Sequence, residues 1–290
     1  QATVTSFGAQ AAEWGAPLAD LLEELPALRT TSLWVSLSGA AGTSGALGSN
    51  AAEVRTKLAK GLGLSDPGRS WHVDRGPILR IAAWMARLAT SLGKMAEDLT
   101  LLTQTGIAEI TLGAAGASST MPQKQNPVKP AAISALATHV AGLHHTLQLA
   151  GQHRQQRDGA AWMTEWLTLP QLCLSTVSAL SQTAHLTTTL TPCPAAMTTA
   201  LHSQHGLIYA EAVSFFLTTT LPRPEAQDAT KALCREAAET GHNLIDLLQR
   251  DHPDLATDTN LTSVFAPENQ MGQAPALARA FAIRAKDLLT

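Results

Sequence analysis

Three cysteines in 290 residues are too few and too scattered for a disulfide framework. Cys173, Cys193 and Cys234 form an odd set without metal-ligand spacing, so they read as reduced core thiols and the compartment as cytoplasmic. Charge is also scarce: 15% of residues are charged and the formal net charge is −3. No basic face for nucleic acid is implied. Any anionic ligand has to be held by a few local cations, not by a global field. No apolar run is long enough to cross a bilayer, because charges or hydroxyls interrupt every long helical pattern. The opening Gln1 to Gly8 is polar and short and does not read as a signal peptide. With no initiator Met, the chain is expected to be mature or a piece of something longer. Alternating β-branched runs are missing, which argues against sheets.

What is present is helical periodicity. From Arg75 to Gln104 the apolar positions Ile78, Ile81, Met85, Leu88, Leu92, Met95, Leu99 and Leu102 alternate by three and four. That heptad seam predicts a long helix in a bundle or coiled-coil packing, a rod of roughly 45 Å at 1.5 Å per residue. The step recurs at Ile133, Leu136, Val140, Leu143, Leu147 and Ala150. A first helix is expected from Gly8 or Ala9 to about Leu28, kinked by Pro17 and ended near Pro26. Further helices are expected over 161–190, with a kink at Pro170, and over 194–220, 224–249 and 276–289, with a loop-rich tail before the last. The fold class is all-α: a long-helix bundle with a small C-terminal helical domain. Leu221-Pro222-Arg223-Pro224 sets the boundary, giving a bundle domain over 1–222 and a C-terminal domain over 223–290.

The chemistry concentrates in Ala117-Ser118-Ser119-Thr120-Met121-Pro122-Gln123-Lys124-Gln125-Asn126-Pro127. Hydroxyls, a cation and a carboxamide crowd into one loop just before a helical pattern, where backbone donors and the positive dipole end favour an anion. Asn126 suits an N-cap with Pro127 at the first helical position, or else the helix begins at Pro130. A serine is a usable base only where backbone donors and an ammonium stabilise its anion in a dry site, which Ser118 and Ser119 beside Lys124 would allow. Taken singly, these residues would be a polar turn, a solvated lysine and a plain cap; their joint occurrence points to an anion-handling active-site loop. His153, beside Arg154, is suited to binding a carboxylate or carrying a proton, or else is a helix-end histidine near the negative dipole end. His72 reads as structural, Trp162 and Trp166 as packing, and Glu165 as a solvated carboxylate by default or one that orients a histidine or arginine of a neighbouring subunit. His144 and His145 are adjacent on one helix and diverge, which argues against a shared metal.

Ser118 to Pro127 resembles the signature loop of the aspartase/fumarase superfamily, Gly-Ser-Ser-x-Met-Pro-x-Lys-x-Asn-Pro, with Ala117 in place of the leading Gly. Gln1 to Gly8 is similar to the end of a family motif that carries a Thr-His pair just before the Gln, and Gly39-Ala40-Ala41-Gly42-Thr43 to a Gly-rich turn near the substrate pocket. His153-Arg154-Gln155-Gln156-Arg157-Asp158-Gly159-Ala160-Ala161-Trp162 with Glu165-Trp166 resembles one branch, the 3-carboxy-cis,cis-muconate cycloisomerases. Adenylosuccinate lyases more often carry Lys-Arg-Asn-Pro in the loop.

The resemblance implies a homotetramer built around long helices, with active sites shared between subunits, and family segments ahead of Gln1 that this sequence does not include. It implies reversible conversion of 3-carboxy-cis,cis-muconate to 4-carboxymuconolactone, a small tricarboxylate as ligand, and no metal or organic cofactor. Ser118 matches the proton-transfer position; Ser119, Lys124, Asn126, Arg157, His153 and Gln1 fall with the substrate-binding residues. A C–N lyase of the adenylosuccinate type, or a non-catalytic helical assembly module, stands as the alternative.

Overall fold

The computed structural model describes residues 2–113, 116–117, 121, 125–255 and 259–290; of Gly116, Ala117, Gln125 and Thr259 it describes the backbone only. In chain order the elements are α1 (Phe7–Ser32), α2 (Ala51–Leu62), α3 (Gly76–Leu102), β1 (Ile110–Leu112), β2 (Gly116–Ala117), β3 (Gln125–Asn126), α4 (Val128–Ala150), α5 (Gly159–Thr189), β4 (Leu190–Pro192), α6 (Pro194–His202), α7 (Ala210–Leu217), α8 (Arg223–Thr240), α9 (Leu244–Asp251), α10 (Thr259–Val264), α11 (Pro267–Gln270) and α12 (Ala274–Asp287). The all-α expectation holds, since the strands are only two or three residues long. No helix among the described residues is long and apolar enough to cross a membrane.

The chain divides into two compact units. The first collects Gln1–Glu13, Leu102–Thr111 and Thr191–Thr290; the second collects Trp14–Leu101 and Leu112–Leu190. In the second, α3, α4 and α5 share a core of Ala82, Ala89, Val140, Leu147 and Leu172. The seam read from the sequence is buried at Leu88, Leu92, Met95 and Leu99 of α3 and at Ile133, Val140 and Leu147 of α4. Small residues set the spacing: a Cβ on Gly93 would lie 2.8 Å from the Cβ of Ala137.

α5 turns an unusual face inward, burying Glu165, Thr168, Leu172, Thr176, Ala179, Thr183 and Leu186. The hydroxyls of Thr168, Thr176 and Thr183 donate to the carbonyls of Thr164, Leu172 and Ala179 at 2.7, 2.8 and 2.8 Å, so burial leaves none of them unsatisfied. The outer face is apolar instead, with Leu167 69%, Leu174 72% and Val177 61% exposed.

α1 runs to Ser32 through both of its prolines, beyond the end expected near Pro26. The Thr30 and Thr31 hydroxyls donate to the carbonyls of Pro26 and Ala27 at 3.0 and 2.8 Å, and the Trp34 indole donates to Thr30 O at 3.0 Å. Carbonyls near the helix end are thereby satisfied, and Pro26 lies on an exposed face where water can serve the backbone group it leaves unpaired.

The first unit has its own core of Val213, Phe216, Leu217, Ala226, Leu233, Leu244, Leu248 and Leu261, to which α7, α8, α9 and α10 all contribute. Two expected helices are broken there. The 194–220 helix divides where His205 (φ 51°) and Gly206 (φ 79°) turn left-handed. The 224–249 helix ends at Gly241 (φ 74°), and the Asn243 side chain then accepts from Ile245 N–H to start α9.

Candidate active site

Ser118, Ser119, Lys124 and Gln1 lie outside the described residues. Asn126 is described, and it is not the N-cap that its place before Pro127 suggests. Its backbone belongs to β3, with Asn126 opposite Gly116. Pro127 takes the cap position and makes no side-chain cap bond. The first helical bond runs from Ala131 N–H to Pro127 O at 3.0 Å, so Pro130 falls where its missing N–H costs nothing.

Around the start of α5 the second unit gathers His153, Arg154, Arg157, Asp158, Trp162 and Glu165 with Trp71, His72 and Arg75 from the segment before α3. Asp158 caps α5 by accepting from Ala160 and Ala161 N–H at 3.0 and 3.1 Å. It also takes the guanidinium of Arg154 at 2.7 Å, and these donors hold its carboxyl well below the usual range. Arg75 and Glu165 form a buried bidentate pair at 2.8 and 2.7 Å. The Glu165 side chain is only 8% exposed, so it is not the solvated carboxylate of the default expectation; it does orient an arginine, but one of its own chain. Arg75 also lies over Trp71, whose indole donates to Val35 O at 2.8 Å.

Arg157 differs from both of these arginines. Among the described residues no carboxylate pairs with it. Its Nε–H donates to His72 Nε2 at 3.2 Å, and its guanidinium carbon lies 4.5 Å from the Trp162 ring centroid. His72 meets Trp162 edge-on at 5.0 Å, and Trp166 stacks on Trp162 at 5.9 Å. His72, read from the sequence as structural, is thus a direct partner of the free cation; the 85-residue separation hid it. The Gly-rich turn reaches the same segment, since a Cβ on Gly42 would lie 3.0 Å from Ser70 Oγ.

Burial, then the charges of Arg157, Arg75 and His153, push the His72 pKa below its ordinary 6.5. Burial and Arg75 do the same to His153, against the smaller pull of Glu165 and Asp158. Both ring nitrogens of His153 are buried with no hydrogen-bond partner among the described residues, and its ring meets Trp162 edge-on at 6.4 Å. The cluster therefore offers an exposed guanidinium, uncompensated among the described residues and flanked by two neutral imidazoles and an indole face, a setting for an anion. No group of His, Cys, Asp or Glu among the described residues could hold a metal ion.

Residues 1–142 match the family described as lyase, and residues 206–281 match the adenylosuccinate lyase C-terminus. The chain belongs to the aspartase/fumarase superfamily of lyases. Among these lyases it is 37% identical to a 3-carboxy-cis,cis-muconate cycloisomerase of Bradyrhizobium diazoefficiens, over 90% of this chain and 57% of that protein. It is 37% identical to the cycloisomerase of the same description from Pseudomonas aeruginosa, over 88% of this chain and 56% of that protein. The crystal structure of the 3-carboxy-cis,cis-muconate lactonizing enzyme from Pseudomonas putida superposes with a TM-score of 0.88 at 30% identity, covering 100% of this chain and 65% of that one. The chain thus spans a little over half the length of the two curated lyase relatives that it matches.

Proposed function

We propose that the protein is a cycloisomerase that interconverts 3-carboxy-cis,cis-muconate and 4-carboxymuconolactone in protocatechuate breakdown. Arg157 carries this reading: a guanidinium with no carboxylate partner among the described residues, held against Trp162, in a chain similar to enzymes described as acting on this tricarboxylate. In the forward direction one carboxylate oxygen forms a C–O bond to a carbon of the conjugated diene, and the neighbouring carbon takes up one proton. The reverse is a β-elimination that removes that proton and breaks the C–O bond. Ser118 moves the proton, and Lys124 and Asn126 hold the carboxylate whose enolate-like form develops in the transition state. Arg157 grips a second carboxylate, with Ser119, His153 and Gln1 completing the site; no cofactor takes part.

The working form is a cytoplasmic homotetramer in which subunits share sites. The apolar outer stripe of α5, with Trp166, Leu167, Leu174, Val177 and Leu180 exposed, supports self-association along this helix. The test is a steady-state assay of the intact protein. Loss of diene absorbance with 3-carboxy-cis,cis-muconate is expected. Fumarate release from adenylosuccinate with no muconate turnover would overturn the reading. Ser118→Ala should leave assembly unchanged and remove most of the turnover.

A further inference from the structure

We infer that His72 is a positioning residue for Arg157, setting which edge of the guanidinium meets a substrate carboxylate. The inference rests on the functional reading for its substrate, but its geometry stands apart from it. Arg157 Nε–H donates to His72 Nε2, so His72 accepts through an unprotonated nitrogen and keeps its proton on Nδ1. That bond occupies the Nε side of the guanidinium. Trp162, 4.5 Å from the guanidinium carbon, backs the same group, and its contact with His72 at 5.0 Å braces the imidazole. What remains is the Nη1/Nη2 end, which makes no bond to any described residue. A carboxylate is therefore met end-on by two parallel N–H donors, and the side-on Nε/Nη arrangement is closed to it.

The arrangement is conditional on the charge of His72. An imidazolium would turn a donor toward a donor and place two cations in contact. The charges that act on His72 come from Arg157 and His153 ahead of α5 and from Arg75 ahead of α3, and all oppose its protonation. The clamp is therefore closed at neutral pH and opens as the medium is acidified.

The experiment compares His72→Phe, His72→Gln and Arg157→Ala in the intact protein. Phe keeps an aromatic ring without an acceptor; Gln supplies an amide oxygen that can still take the Nε–H. KM and kcat for 3-carboxy-cis,cis-muconate are measured against pH, and the dissociation constant of propane-1,2,3-tricarboxylate is measured by calorimetry as a readout that needs no turnover. Losing one charge-assisted bond should raise KM and that dissociation constant about tenfold in His72→Phe while leaving kcat within about threefold. His72→Gln should stay near wild type. The double variant His72→Phe/Arg157→Ala should be no worse than Arg157→Ala, because the two act as one group. In wild type kcat/KM should fall on the acid side with a midpoint below 6.5, and His72→Gln should weaken or shift that limb, leaving only what His153 contributes.

Equal impairment of Phe and Gln, an unaltered KM in His72→Phe, or an acid limb identical to wild type in His72→Gln would each overturn the inference. If Phe does not fold, His72→Asn takes its place, since its shorter amide falls back from Arg157. A wild type that binds the tricarboxylate but does not turn over muconate sinks the functional reading alone, provided the tenfold difference in binding persists. A wild type active on muconate with an unimpaired His72→Phe sinks the positioning role alone.

Discussion

Glu165 and Arg75 show how much a single pair can carry in this chain. Both side chains are nearly buried, and the two bonds between them use both carboxylate oxygens. Glu165→Ala strands the Arg75 charge and should cost about 3–5 kcal/mol in urea denaturation. The double replacement Arg75→Met/Glu165→Met should recover most of that loss, because no charge is left unpaired; a double variant as unstable as the single would refute this account. At this scale the sequence is legible only in part. Arg157-Asp158 stands out, yet nothing local says that Asp158 is taken by Arg154 while Arg157 has no carboxylate among the described residues. The partners of Glu165 and Arg157 lie 90 and 85 residues away, and long-range side-chain pairing leaves no trace in periodicity.

Among the elements, α3 and α4 were open to reading because their seams are apolar, and a heptad of leucines can be counted. α5 is harder: three of its seven buried residues are threonines, and each hydroxyl is silenced by its own helix backbone. Its leucines fall on both sides, Leu172 and Leu186 buried and Leu167, Leu174 and Leu180 exposed, so apolar positions alone do not pick out the inner face. Leu174→Lys on that side should weaken self-association in sedimentation velocity while leaving the helical circular dichroism unchanged; an unaltered sedimentation coefficient would argue against this face as the contact. The breaks at Gly206 and Gly241 were missed for another reason, since apolar periodicity continues across both and only the left-handed glycine marks the stop. At Gly241, with φ 74°, an alanine pays the left-handed penalty, and Gly241→Ala should cost about 1–2 kcal/mol in thermal or chemical unfolding.

For the molecule as a whole, pH is the lever most directly connected to the site. His72 and His153 both have pKa values lowered by burial and by nearby arginines. The unfolded chain then binds more protons than the folded one below about 6.5, so stability is full above that value and falls as pH drops through the folded pKa values. Urea midpoints measured from pH 7.5 down to 5 should decline, and the decline should shrink in a His72→Gln/His153→Gln variant. A flat profile in the wild type would show that neither ring is neutralised by the fold.

The free guanidinium of Arg157 has a practical side as well. With Asp158 committed to Arg154, no carboxylate among the described residues has to be expelled before a ligand arrives, so the competitor is the anion the solvent supplies. Binding there should therefore weaken with ionic strength, and sulfate, phosphate or citrate in a purification buffer would mask affinity that chloride at the same concentration leaves visible.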